Sequence, residues 1–556
     1  MNGDPEGDDP QRMTAPMRGS GPGCPNAARR CLVAALLTLF ALQVILTSRQ
    51  TSPAYDEVAI LPSGYVFLKT GQWHLIAEHP PLIPALSALP LLALKPRLDL
   101  TDPSWTREPT NVWIFGSNFL FTNDADRLLF WGRLPVLLLS LLLGYVVHRW
   151  ATELYGVGAG LMALLLYAFC PTIIAHSGFT SHDVGLSCFF TLSLYWLWRF
   201  MTGGTWHNLL WSGLLLGCAL SSKTPAFILP PVFVGLMLLA VWRYPRPERA
   251  DATTAAAARL SFPLAAHPVR DRLLPSLAAL ALIFLMAFGV LYTVYLFPKD
   301  PLFYVKAGLL APRLHVPNYP YYLMGQFRAE GWWYYFLVAF AIKTPIPMLL
   351  LIPLALWHWR RQGGQWIREA YLLLPALAHL ILISALADPL GIRYLLPIYP
   401  LLFIFASRTA PLFRRRGAGA AAGIVLATWY LFTPFRIYPD YLAYFNEFVG
   451  GPKHGIEYLD DSNIDWGQNL KRLRRYLDAH RIDKVKLLYF GTGRPDYYGI
   501  RAEPIQLADL ARTPEPGIYI ISANALVRAR AYFKIDWLRR YELVDVIGYS
   551  FYVFRV

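Results

Sequence analysis

Two adjacent carboxylates, Asp56 and Glu57, directly follow the first long apolar run of the chain. Side by side at a membrane edge, they can serve as a general base with a positioning acid, or bind a cation. The same residues can also simply start a helix, with Asp as its N-cap. Downstream, Glu78-His79-Pro80-Pro81 places an imidazole in a rigid extended turn, either to meet a ligand or to break the chain before a helix. Ser181-His182-Asp183 brings a third carboxylate to the start of another apolar run, again with an N-cap as the plain alternative. A serine-hydrolase triad is not implied, because those three side chains must be placed by the fold rather than by adjacency. Three cations, Lys223, Lys343 and Arg393, stand at apolar-segment ends. Each can snorkel to an interface. Several together can instead grip a phosphate, for which Arg supplies a two-pronged donor.

The elements that must position these groups are membrane spans. Of the 556 residues, 55% are hydrophobic and 16% charged, against about 25% charged in soluble domains. The formal charge of +15 does not point to nucleic acid, because the arginines lie between apolar segments rather than on one face. Five scattered cysteines form no metal-binding or disulfide spacing, and no metal or other cofactor is expected. A span needs about 20 apolar residues. Eleven segments approach this: 31–48, 130–148, 157–176, 182–199, 207–222, 225–243, 273–297, 333–357, 371–387, 393–408 and 418–435. The run after Cys31 lacks a convincing cleavage site and reads as a retained span rather than a secretory signal.

Positive-inside counting orients the spans. With the N-terminus cytoplasmic, the inner segments hold 19 Lys and Arg, including Arg414-Arg415-Arg416, whereas the short outer loops hold only Lys223. The organisation expected is therefore a disordered cytoplasmic tail (1–30), a transmembrane module (31–437) and an extracytoplasmic tail domain (438–556). The first outer loop (49–129) contains two apolar pieces too short to cross, Leu82–Leu94 and Val112–Phe121, which read as interfacial helices. In the tail, Leu470, Leu473 and Leu477 mark one face of a helix. Strand-like runs at Val485–Phe490, Ile518–Ile521 and Tyr549–Phe554 suggest a small α/β domain.

Taken in order, these stretches resemble a known family. Tyr55-Asp56-Glu57, Glu78-His79-Pro80-Pro81-Leu82, the Asp183 segment, Gly331-Trp-Trp-Tyr-Tyr-Phe336 with Lys343-Thr344-Pro345, and Arg393-Tyr394-Leu-Leu-Pro-Ile-Tyr-Pro400 are similar to the GT-C superfamily, specifically glycosyltransferase family 39. That group includes the protein O-mannosyltransferases and the lipid A aminoarabinose transferase. Tyr441-Leu-Ala-Tyr-Phe-Asn446-Glu447 and Asp461-Ser-Asn-Ile-Asp-Trp-Gly-Gln468 look like its prokaryotic branch. The likeness spans roughly residues 31–500.

The resemblance implies a mainly helical GT-C fold in a bacterial cytoplasmic membrane. It also implies inverting transfer of a sugar from polyprenyl phosphate to a hydroxyl of a protein, lipid or glycan in the envelope. Asp56 would be the base and Glu57 a helper. Glu78, His79, His182, Asp183, Lys223, Lys343, Arg393 and Tyr394 would bind substrate, the cations being candidates for the donor phosphate. The tail departs from both named enzymes and leaves the acceptor open. A transporter or flippase of a lipid-linked substrate is the competing class. Against it, the charges gather at one outer edge and the halves show no repeat. An inactive scaffold whose tail binds envelope partners is a third class, and the intact Asp56-Glu57 pair counts against it.

Overall fold

The computed structural model describes residues 26–73, 75–76, 78–106, 111–243, 269–300, 302–310, 318–362, 366–414 and 417–556. The expected disordered tail lies outside these residues except for its last five. Those five are helical, so helix α1 (Asn26–Ser48) begins earlier than the apolar run suggests. Arg415 and Arg416 of the basic run also lie outside the described residues.

The chain is an integral, multi-pass membrane protein built mainly of helix. Among the described residues, seven helices are long and apolar enough to cross a bilayer, and nine if each of two bent pairs counts as one span. The bent pairs are α6 (Val157–Ala168) with α7 (Pro171–Ser177), at 62°, and α12 (Tyr335–Lys343) with α13 (Ile346–Arg361), at 111°. Both breaks fall at a proline, Pro171 and Pro345, where the preceding residue is steered out of helical geometry. Two of the eleven expected spans form shorter helices, α9 (Trp206–Leu220) and α15 (Ile398–Ala406). At 1.5 Å per residue, fifteen residues reach about 22 Å, less than a hydrocarbon core of about 30 Å.

Among its described residues, segment 49–129 forms a layer of three packed helices, with one further short turn of helix at Pro103–Thr106. Helices α3 (Leu82–Leu94) and α4 (Val112–Phe121) occupy the two apolar pieces with the expected ends. Between them runs α2 (Glu57–Thr70), in which eleven consecutive residues, Glu57 to Phe67, are buried. Two glycines allow this density. A methyl group on Gly64 would stand 2.0 Å from Pro84 O, and one on Gly116 would stand 1.8 Å from Val58 O. Backbones can approach this closely only where no Cβ intervenes. The layer rests on two long helices, α5 (Ala125–Tyr155) and α8 (His182–Gly203).

After the last long helix, α16 (Ala418–Ile437), the chain does not leave the spans. Tyr441, Phe445, Leu459 and Trp466 belong to the same buried core as the membrane helices. Beyond Asn469 a further layer is added, which still shares that core through Tyr519, Ile521, Tyr552 and Phe554. There α17 (Leu470–Ala479) buries Leu470, Leu473 and Leu477. It packs on a five-stranded sheet of order β4-β3-β5-β7-β6, formed by β3 (Val485–Leu488), β4 (Ala502–Pro504), β5 (Ile518–Ser522), β6 (Glu542–Ile547) and β7 (Phe551–Arg555). Strands β3, β4 and β5 are parallel neighbours, while β7 runs antiparallel to both β5 and β6. A short hairpin, β1 (Tyr321–Leu323) with β2 (Gln326–Arg328), precedes α12.

Candidate active site

Asp56 follows a segment held by the tail. Ser52 N donates to Gln468 O at 2.9 Å and Tyr55 N to Trp466 O at 2.7 Å, so the tail fixes the backbone up to the residue before Asp56. Helix α2 starts at the next residue. Asp56 occupies its N-cap position, yet its side chain makes no capping hydrogen bond. The carboxylate is thus not consumed by the helix start. Its Oδ2 accepts from Arg393 Nη1 at 2.5 Å.

Arg393 lies in a single 3-10 turn, Ile392–Leu395. Its guanidinium stands over the ring of Trp466 at 4.6 Å and near that of Tyr394 at 5.3 Å, and reaches to 4.0 Å from Asp183 Oδ2. Asp183, in the first turn of α8, accepts from Lys223 Nζ at 2.6 Å. Lys223 in turn faces the Tyr394 ring at 4.6 Å. The result is an alternating chain, Lys223–Asp183–Arg393–Asp56, joining segments that are up to 337 positions apart.

These groups surround one cavity of about 170 Å³. Asp56, Glu78, His79, His182, Asp183, Lys223, Arg393 and Tyr394 all line it, together with Trp113, Ser181 and the apolar side chains Ala59, Ile60, Ile76 and Val112. The His79 and His182 rings meet edge to face at 5.0 Å. His79 Nδ1 lies 3.1 Å from Glu78 O and 3.2 Å from Thr224 Oγ1. A carbonyl can only accept, so this geometry fits a proton on Nδ1 and leaves Nε2 as an acceptor. Burial, followed by the Lys223 charge, lowers His79 to about 3, so it is neutral at neutral pH. Burial also pushes the Glu78 carboxyl above its usual range, and the Asp56 charge adds to that shift.

Two expected site residues lie elsewhere. Glu57 does not assist Asp56. It is completely buried and points into the protein, where Arg133 Nε and Nη2 donate to its two oxygens at 2.8 and 2.6 Å. Thr180 N and Ala54 N donate to it as well, at 2.7 and 2.9 Å. A carboxylate so occupied is a structural brace and has no capacity left for an acceptor. Lys343 does not reach the cavity either. Its ammonium donates to Leu442 O at 2.7 Å and Asn463 O at 2.6 Å, tying the tail to the α12–α13 break.

Sequence reasoning passed over Arg133, which lies within a span. Its cue was available, because an arginine inside an apolar run needs a buried partner. Trp113 carried no signal beyond being aromatic. Trp466 stood inside a motif to which no role was attached. Among the described residues, no three His, Cys, Asp or Glu side chains are grouped so as to hold a metal ion.

The sequence profile of the dolichyl-phosphate-mannose-protein mannosyltransferases matches residues 120–267, a stretch that includes Asp183 and Lys223. No curated protein sequence matches. Among solved structures, the chain is similar to ArnT from Cupriavidus metallidurans bound to undecaprenyl phosphate. That likeness is at 14% identity, covers 96% of this chain and 98% of that one, and has a TM-score of 0.47. An apo oligosaccharyltransferase from Archaeoglobus fulgidus aligns at 12% identity over 74% of this chain and 55% of that one, TM-score 0.45. The S. cerevisiae protein O-mannosyltransferase Pmt1-Pmt2 complex bound to the sugar donor aligns at 17% identity over 49% and 34%, TM-score 0.33. The profile match agrees with the resemblance to GT-C glycosyltransferases carried by the ordered motifs.

Proposed function

We propose that this chain transfers a sugar from a polyprenyl-phosphate carrier to a hydroxyl acceptor, in one inverting step at the Asp56 cavity. The acceptor oxygen attacks the anomeric carbon while its proton passes to Asp56. The bond from that carbon to the phosphate oxygen breaks, and its electron pair leaves on the polyprenyl phosphate. Arg393 and Lys223 face the anion whose charge grows as the bond breaks, where fixed cations in a water-poor site act most strongly. The cavity lies outside the membrane in this reading, on the same side as the tail sheet. Residues 31–437 with the following segment would form the catalytic module. The acceptor is a hydroxyl of an envelope protein, lipid or glycan.

One observation carries the reading: a carboxylate that does not cap its own helix is paired with a buried arginine at the edge of a cavity. A donor phosphate arriving at Arg393 competes with Asp56 for the same guanidinium. Its binding would release Asp56 to act as a base. Asp56→Asn should therefore reduce transfer from a synthetic polyprenyl-phosphate sugar by about 10²–10⁴-fold, the usual worth of a general base. Binding of the lipid and thermal stability should be retained. Near-normal turnover in the purified variant would eliminate Asp56 as the base.

A further inference from the structure

The tail motif Asp461–Gln468 is remote in sequence from every group that lines the cavity, yet it touches Arg393 and the residue before Asp56. Trp466 is buried, and its ring lies against the Arg393 guanidinium at 4.6 Å. The rings of Phe179 and His176 meet Trp466 edge-on at 5.7 and 5.9 Å and hold its plane. Its carbonyl accepts from Tyr55 N, the residue before Asp56. Three residues earlier, Asn463 Oδ1 accepts from Ile392 N at 3.0 Å, the residue before Arg393. Asn463 Nδ2 is anchored on Tyr335 OH at 3.0 Å and Asp460 O at 2.9 Å. Ser462 Oγ closes the contact by donating to Leu390 O at 2.9 Å.

We infer that Asn463 and Trp466 are positioning residues, which set the plane of the Arg393 guanidinium and its distance from Asp56. A long arginine side chain loses much rotamer freedom when it is held in one pose. A flat aromatic face that the cation can lie on reduces the number of poses it has to give up. The segment also binds the residues just before Asp56 and Arg393, one through the Trp466 carbonyl and one through the Asn463 side chain, so the separation of the pair does not depend on the membrane helices alone. This rests on the reading that Arg393 holds the donor phosphate.

The test uses the full-length protein in nanodiscs, with polyprenyl-phosphate binding and transfer kinetics measured together. Trp466→Leu keeps an apolar side chain but removes the π face. It should weaken lipid-phosphate binding and raise the donor KM by roughly ten- to thirty-fold, with a smaller effect on kcat. Trp466→Phe, which restores a face, should recover most of the loss. In an Arg393→Met background, Trp466→Leu should add nothing. An additive loss there, or an unchanged KM in Trp466→Leu, would overturn the inference while leaving the Arg393 assignment standing. If Arg393→Met itself leaves lipid-phosphate binding unchanged, the assignment of Arg393 fails and the inference fails with it. Should Trp466→Leu not fold, Asn463→Ala removes the acceptor for Ile392 N, and the same KM and double-variant readouts apply.

Discussion

Neighbouring carboxylates with opposite fates make a sharp prediction: Glu57→Ala should unfold the protein more readily, whereas Asp56→Asn, which keeps an oxygen for Arg393 and leaves Asp183 4.0 Å from it, should cost much less. Arg133 is buried, and each of its donor nitrogens is used. Besides Glu57, its Nη1 donates to Ser48 O at 2.9 Å and Thr51 Oγ1 at 2.9 Å, and its Nη2 to Ser52 O at 3.0 Å. The two side chains of the pair are 5% and 1% exposed, so water cannot screen the charge left behind. Removing one partner of such a pair costs about 3–5 kcal/mol. The N–H groups of Thr180 and Ala54 lose their acceptor in the same step and account for part of that figure. The assay is reversible unfolding in mixed micelles, followed by titration with a denaturing detergent. Glu57→Ala should lower the unfolding free energy by about 3–5 kcal/mol. The double variant Glu57→Ala with Arg133→Met should recover part of the loss, since no charge is then stranded. A Glu57→Ala protein as stable as wild type would refute the argument. So would a double variant less stable than the single one.

Three further outcomes follow from the geometry. Arg393→Lys keeps the charge but loses the planar fork, so donor KM should rise about tenfold in steady-state kinetics while the protein stays folded. Gly116→Ala puts a methyl group 1.8 Å from Val58 O. The two helices must then separate, at about 1–3 kcal/mol in thermal unfolding, and transfer should fall because α2 begins next to Asp56. Burial pushes the Asp465 carboxyl up to about 8, against the N–H groups of Gly467 and Asn524. A carboxyl raised in this way stabilises the fold in its neutral form. That contribution is complete below the ordinary carboxylate range and is lost as pH rises through about 8. Asp465→Asn should therefore melt above wild type at alkaline pH and lose that advantage in acid. Parallel melting curves from acid to alkaline pH would exclude Asp465 as the source.

Hydropathy made the spans readable because a bilayer demands length and apolarity from one contiguous segment. Helices α3 and α4 were legible for the same reason. Helix α2 was not. Eleven of its residues are buried on all sides, so no polar face remains to give a helical period, and it passed as loop. The change of character at residue 438 is real in composition but not in packing, since Tyr441 to Trp466 extend the core of the spans. Individual charges at the cavity stood out because charge is rare in so apolar a chain. Their pairings did not, because 56 with 393, 57 with 133 and 183 with 223 are decided by helix packing. Asp56 and Glu57 separate because one precedes α2 and the other opens it. Their side chains leave the backbone in different directions, one toward the cavity and one toward Arg133.

The charge balance of the cavity argues for a proton moving together with the sugar. Asp56, Glu78 and Asp183 face two cations, Lys223 and Arg393, while both imidazoles lie among the same lining groups. On the proposed reaction, a sugar phosphodiester brings one negative charge, and the released polyprenyl phosphate carries up to a second. A second anion in so small a space would be resisted by the carboxylates already present. If Asp56 takes the acceptor proton in the same step, one negative charge disappears as the other forms, and the net charge of the cavity is unchanged. The burial that raises Glu78 works in the same direction, because a protonated Glu78 removes a like charge beside Asp56. On this account Glu78→Gln should be tolerated at low pH, where wild-type Glu78 is already neutral. It should become faster than wild type, relative to that low-pH ratio, as pH rises through the raised Glu78 pKa. A pH–rate profile for kcat/KM identical in shape to wild type would show that Glu78 does not take part in the balance.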